Sequence, residues 1–224
     1  MRKLSLMAVL AGCALGANVN ATILTAQPGW NGTSTYWNPF GESNTATYGQ
    51  TFTVSGPDTV LDQFSFWYDD NLDSDFVDFA AYLYAWDGSK ASGPALYTSA
   101  MVSTTNNGGT DGVERFDFAT GGIQLVAGQQ YVAFTSASLF FDGVTGTSVA
   151  GGNGSDGYAG GQFVFMNNGS NSGAWTTQTW ATGSGIDTAF EAVFSSGQAV
   201  PEPVTLALLG LGLGGVGLSR RKMR

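Results

Sequence analysis

The sequence predicts an all-β domain, a single sandwich or barrel spanning residues 22–199. One observation behind this is negative: no apolar repeat of helical period runs through that stretch. Another is positive: short runs of alternating apolar and polar residues recur between turns rich in Gly, Asn, Ser and Asp. The third is core material. With 15 Phe, 8 Tyr and 6 Trp in 224 residues, the chain can bury enough apolar surface to fold without disulfides.

The strands follow in order. Tyr48–Val54 and Val60–Tyr68 are the first two. Val77–Trp86 is the clearest. Val77, Phe79, Ala81, Leu83 and Ala85 point one way, and Asp78, Ala80, Tyr82, Tyr84 and Trp86 the other, before Asp87-Gly88 turns the chain. Leu96–Ser103, Val113–Phe118, Ile123–Val126, Gln130–Ala137 and Gln162–Met166 come next. Ile186–Phe194 closes the series, and such a last strand commonly pairs with an early one. Ser99–Thr110 and Ser148–Gly161 are dominated by Gly, Asn, Ser and Thr and read as long loops, where binding tends to sit.

Both ends read as targeting segments. Arg2 and Lys3, the apolar run Leu4–Leu15 and the small-residue site Val19-Asn20-Ala21 form a signal peptide over residues 1–21, cleaved after Ala21. Leu10-Ala11-Gly12-Cys13 also reads as a lipobox that would acylate Cys13; either way the chain crosses the inner membrane. At the other end, residues 200–224 hold Pro201-Glu202-Pro203, the uncharged stretch Val204–Leu218, and a basic cluster of Arg220, Arg221, Lys222 and Arg224. The prolines disfavour helix before the stretch, and the cations stay cytoplasmic. As a helix, those fifteen residues would reach about 22 Å, short of a ~30 Å hydrocarbon core, and five of them are glycine. That suits a transient transmembrane helix. Gly212-x-Gly214-x-x-Gly217 within it matches a dinucleotide fingerprint but lacks the strand, helix and acidic residue which that site needs.

This C-terminal arrangement resembles the PEP-CTERM sorting tail of exported proteins in Gram-negative bacteria that secrete exopolysaccharide. The resemblance implies an exosortase substrate, held in the inner membrane, processed near Pro201-Glu202-Pro203 and released to the cell surface or extracellular space. A second resemblance rests on Gln50–Val54, Leu61–Phe66, Tyr82–Asp87, Gly93–Tyr97 and Ala127–Phe134. These segments look like a jelly-roll domain recurrent in exported, surface-anchored bacterial proteins, which implies a β-sandwich of jelly-roll type over residues 22–199.

Composition excludes several functions. Six of the eight Lys and Arg and one of the seventeen acids lie in the end segments. The domain keeps Lys90 and Arg115 against sixteen acids, a net charge of −14 that repels nucleic acid and anionic membranes. There is no histidine, and Cys13 leaves with the signal peptide or becomes its lipidated end, so His triads, His-rich zinc sites and thiol chemistry are absent. Glu42, Glu114 and Glu191 stand isolated, and no enzyme is expected.

Two binding candidates remain. Asp69, Asn71, Asp73 and Asp75 alternate as oxygen ligands do in a Ca²⁺ loop, but Ser74 and Ala80 replace the turn glycine and the closing glutamate of an EF-hand. A structural Ca²⁺ and a solvated acidic loop are the two readings. Trp175 and Trp180, in a polar stretch, are candidates for exposed rings that stack on sugars. Tyr82, Tyr84 and Trp86 read as filling a two-sided core. The expected function is a non-enzymatic surface or extracellular-matrix protein, associated with exopolysaccharide and active in biofilm. The alternative is a carbohydrate-binding module for that exopolysaccharide.

Overall fold

The structure is a computed structural model that describes residues 21–42, 45–70, 76–105, 110, 112–144, 146–183 and 185–196. Residues 1–20 of the expected signal peptide, and the tail from Val200, lie outside the described residues. Thirteen strands and one short helix are described. They are β1 (Thr22–Thr25), β2 (Thr35–Gly41), β3 (Thr47–Thr53), β4 (Val60–Asp69), β5 (Asp78–Trp86), β6 (Ala91–Thr98) and β7 (Val102–Ser103). After these come β8 (Glu114–Gln124), β9 (Gln130–Ser136), β10 (Thr147–Gly151), β11 (Phe163–Met166), α1 (Ala174–Thr177), β12 (Ala181–Thr182) and β13 (Phe190–Ser195).

These form two antiparallel sheets. The first runs β1-β13-β4-β10-β2, with β8 on the other side of β4. The second runs β12-β11-β3-β9-β5-β6, with β7 beside β5. The sheets pack face to face through aromatic rings: Phe52 on Phe190 at 5.7 Å, Tyr68 on Phe79 at 5.5 Å, and Phe64 on Tyr97 at 5.6 Å. Edge and offset geometries of this kind add to the area they bury.

The alternation in β5 holds residue by residue. Phe79, Ala81 and Leu83 enter the core between the sheets, and Ala80, Tyr82 and Trp86 enter a second core on the outer face of the same sheet. The last strand pairs with β4 and with β1, the first strand of the domain.

Other expectations are corrected. The run Leu96–Ser103 divides into β6 and β7, while Val113–Phe118 and Ile123–Val126 join into β8, whose register shifts between Leu61 and Gln63 of β4. Ser148–Gly161 is not all loop, because β10 occupies its start and pairs with β2 and β4. The rest of it is drawn against β3, where Thr51 donates to the Gln162 carbonyl at 2.9 Å. A Cβ on Gly161 would lie 1.7 Å from the Thr51 carbonyl oxygen, so glycine alone permits this approach.

Candidate functional site

The segment after β11 folds back over the second sheet and is latched there by polar contacts. Thr45 Oγ1 donates to Asn167 Oδ1 at 2.6 Å, and Thr47 Oγ1 donates to Asn168 Oδ1 at 2.9 Å. Asn168 Nδ2 donates to Ser138 Oγ at 2.8 Å. The Trp175 indole N–H reaches Thr47 Oγ1 at 3.2 Å, and the Trp180 N–H reaches the Trp175 carbonyl at 2.8 Å.

These bonds bury the two tryptophans. Trp175 is 5% and Trp180 3% exposed, packed on Phe134 at 5.1 Å each, with Trp175 on Tyr82 at 4.6 Å. The expected exposure is therefore corrected: in this structure neither ring is open to a sugar. A polar sequence around them gave the opposite impression, because its polar side chains bond to the sheet that the rings cover. Burial pushes the neighbouring Tyr82 hydroxyl up to about 12, with the adjacent Tyr84 adding to the rise.

Beside this lid lies a solvent-open cleft of about 200 Å³, lined by Phe165, Met166, Asn167, Gln178, Thr179 and Ala181. Thr45 holds the Asn167 oxygen, which leaves the amide nitrogen with no protein partner among the described residues. Gln178 and Thr179 are exposed. Phe165 is stacked on Phe163 at 5.7 Å and half-buried. The chemistry is neutral: two carboxamides, a hydroxyl and an aromatic ring. The volume falls below the ~300–1,000 Å³ of sites that enclose a small molecule. It suits one ring of a neutral chain lying across the surface, and composition did not reveal it because its walls come from two separate segments.

Two further polar clusters also escaped the sequence. On the outer face of the first sheet, Arg115 donates to Asp117 at 2.6 Å and Glu191 at 2.7 Å, and its guanidinium lies 4.7 Å from the centre of the Trp67 ring. Partial burial works upward on the Asp117 carboxyl, but hydrogen bonds from Ser65 and Arg115 outweigh it and hold that group below its ordinary value. The second cluster centres on Asp187, which is fully buried. Its Oδ1 accepts from Gln50 Nε2 at 2.5 Å, and its Oδ2 accepts from the backbone N–H of Gly157 at 2.9 Å and Tyr158 at 2.8 Å. It pins the loop after β10 to the core. The signal available was a lone acid at the head of an apolar run.

Of the calcium candidates, Asp69 ends β4 and is half-buried, while Asn71, Asp73 and Asp75 lie outside the described residues. Among the described residues no group of three or more His, Cys, Asp and Glu could hold a metal ion. Ala21 is exposed directly before β1. Pro201, Glu202, Pro203, Arg220, Arg221 and Lys222 lie outside the described residues. No helix among the described residues is long and apolar enough to cross a membrane.

An all-β domain with a short linker into an apolar, basic-ended tail defines a class, that of an exported protein with a C-terminal sorting signal. Within that class the tail is specific: residues 199–222 match the PEP-CTERM protein-sorting motif. The motif marks the chain as exported and sorted through its tail, and implies processing by an exosortase-type enzyme. No curated protein matches the chain. Among solved structures it is similar to the cysteine protease and lectin-like domains of Cwp84, a surface layer associated protein of Clostridium difficile. That match has 13% identity, a TM-score of 0.45, and covers 69% of this chain and 33% of that one. A clostridial Cwp84 cysteine protease after propeptide cleavage aligns at 12% identity and TM-score 0.47, covering 79% and 40%. The chain thus spans a third to two fifths of those proteins, and at such TM-scores neither likeness bears on what this domain does.

Proposed function

We propose that this chain is a non-enzymatic cell-surface or extracellular-matrix protein whose domain is a β-sandwich of jelly-roll type. The signal peptide exports it, the apolar tail holds it in the inner membrane for a time, and processing near Pro201-Glu202-Pro203 releases it outward. The match of residues 199–222 to the sorting motif carries this reading. The test is to delete residues 200–224 in a host with the matching processing enzyme. The truncated protein should change fraction or maturation, and identical mass and fractionation with and without the tail would overturn the reading.

A second reading, binding of a neutral exopolysaccharide, is favoured by the cleft at Phe165, Asn167, Gln178 and Thr179. Its donors and acceptors are uncharged, which suits hydroxyl groups. A domain carrying −14 repels an acidic polysaccharide at the same place.

A further inference from the structure

The two ends of the domain leave it side by side. Thr22, the first residue after the expected signal cleavage, pairs with Phe194 two residues before the described chain ends at Ser196. Paired Cα atoms in such a ladder are about 5 Å apart. Val60 at the head of β4 pairs with both Ser195 and Gln124, and Thr22 Oγ1 donates to Asp58. The β3–β4 turn, the β8–β9 turn and the C-terminal end of β13 therefore make one end of the molecule. It is called here the tethered end.

Charge is distributed unequally between this end and the opposite one. The segments forming the tethered end, residues 21–22, 54–62, 86–90, 124–130 and 195–196, hold Asp58, Asp62, Asp87 and Lys90. Lys90 pairs with Asp87 at 2.9 Å, so the net charge there is −2. At the other end of β4 the described segments carry Glu42, Asp69, Asp70, Asp78, Glu114 and Asp142, against Arg115, which sits beside Glu114 and is already paired with Asp117 and Glu191. Pairings place these residues together: Glu114 lies opposite Tyr68, Asp69 opposite Val149, and Glu42 accepts from the Asp142 N–H at 2.6 Å.

Reach then decides orientation. From Ser195 to Pro201 is six residue steps, at most about 20 Å at full extension. The ten residues of β4 separate the two ends by about 33 Å. The processing motif cannot pass to the acidic end. We propose that, while the tail is uncut, the domain stands with its tethered end against the anionic lipid surface around the inserted tail and its acidic end outward. This rests on the sorting reading of the tail. The acidic end is then about four Debye lengths from the headgroups at physiological salt, where its repulsion is screened. The near end, with Val126 56% exposed and little charge, meets the surface.

The test uses the full chain in a host with the processing enzyme, following conversion of precursor to mature protein by pulse-chase. The triple variant Ser55→Glu, Val126→Glu, Ala127→Glu adds charge to exposed positions of the tethered end. Phe76→Glu, Leu139→Glu, Val144→Glu adds the same charge at the acidic end. The first should slow processing at least threefold and the second should not. Inserting twelve Gly-Ser residues after Gln198 should restore the first. Equal rates for the two triples, at wild-type melting temperatures, overturn the proposal. An independent measurement covers a triple that fails to fold. Single Ala127→Cys should react with an impermeant maleimide at least threefold more slowly in the uncut, membrane-held chain than in the released protein, and Val144→Cys equally in both. Equal reactivity of Ala127→Cys in the two forms also overturns the proposal. The sorting reading fails separately, only if deleting residues 200–224 changes nothing.

Discussion

Replacing Asp187 by Asn tests how a buried carboxylate holds the loop after β10. The asparagine keeps the shape but only one acceptor. If its oxygen takes the Gly157 and Tyr158 N–H groups, its NH₂ faces the Gln50 NH₂, now 2.5 Å from Asp187 Oδ1. Gln50 cannot turn its amide around, because its oxygen accepts the Thr188 N–H at 3.1 Å. One donor is orphaned in a dry site, costing about 1–3 kcal/mol.

The pH dependence separates this from a generic packing defect. Burial, the largest influence, pushes the Asp187 carboxyl up to about 6 against the downward pull of its three hydrogen bonds, and the nearby Asp156 charge adds to the rise. The folded form thus holds a proton more tightly than the unfolded one. The stability this gives is complete below about pH 4 and is lost as pH rises through about 6. Between pH 4.5 and 7.5 the loss is about 2 kcal/mol for the wild type and zero for the variant at this position. Urea unfolding followed by tryptophan fluorescence at both pH values measures it. All other carboxylates except the neighbouring Asp156 are unaffected by the change and cancel. The deficit of Asp187→Asn should be about 2 kcal/mol smaller at pH 7.5 than at 4.5; a deficit independent of pH would refute the reasoning.

Two other outcomes concern the lid and the cleft. Trp175→Ala empties the space against Tyr82 and Phe134 and removes the indole bond to Thr47, so it should cost about 3–5 kcal/mol in urea unfolding, and a cost below 1 kcal/mol would contradict the packing described. Asn167→Ala removes the exposed amide of the cleft, and affinity electrophoresis against the strain's own polysaccharide should show about three- to tenfold weaker binding. Unchanged retention, or none by the wild type, would remove the carbohydrate reading.

The sequence alone determined that the chain is exported and sorted through its tail, its all-β class and the two faces of one central strand. Each of these is a local property. A Pro-Glu-Pro tail and a two-residue period are read within a window of ten to twenty-five residues, so the alternation along Val77–Trp86 assigned both faces of β5 correctly. Charge was equally legible as a sum, and the missing histidine narrowed the chemistry. Tertiary structure decided what depends on which distant segments meet. Trp175 and Trp180 sit among polar residues in sequence and are buried because Thr45, Thr47 and Ser138 bind the asparagines beside them. Asp187 is buried because Gln50 and two backbone N–H groups, each about thirty residues or more away, converge on it. The separation of six acids from the end that bears the tail follows from the direction of β4 and the pairing of β1 with β13. Those are contacts between residues far apart in the chain, and no local pattern encodes them.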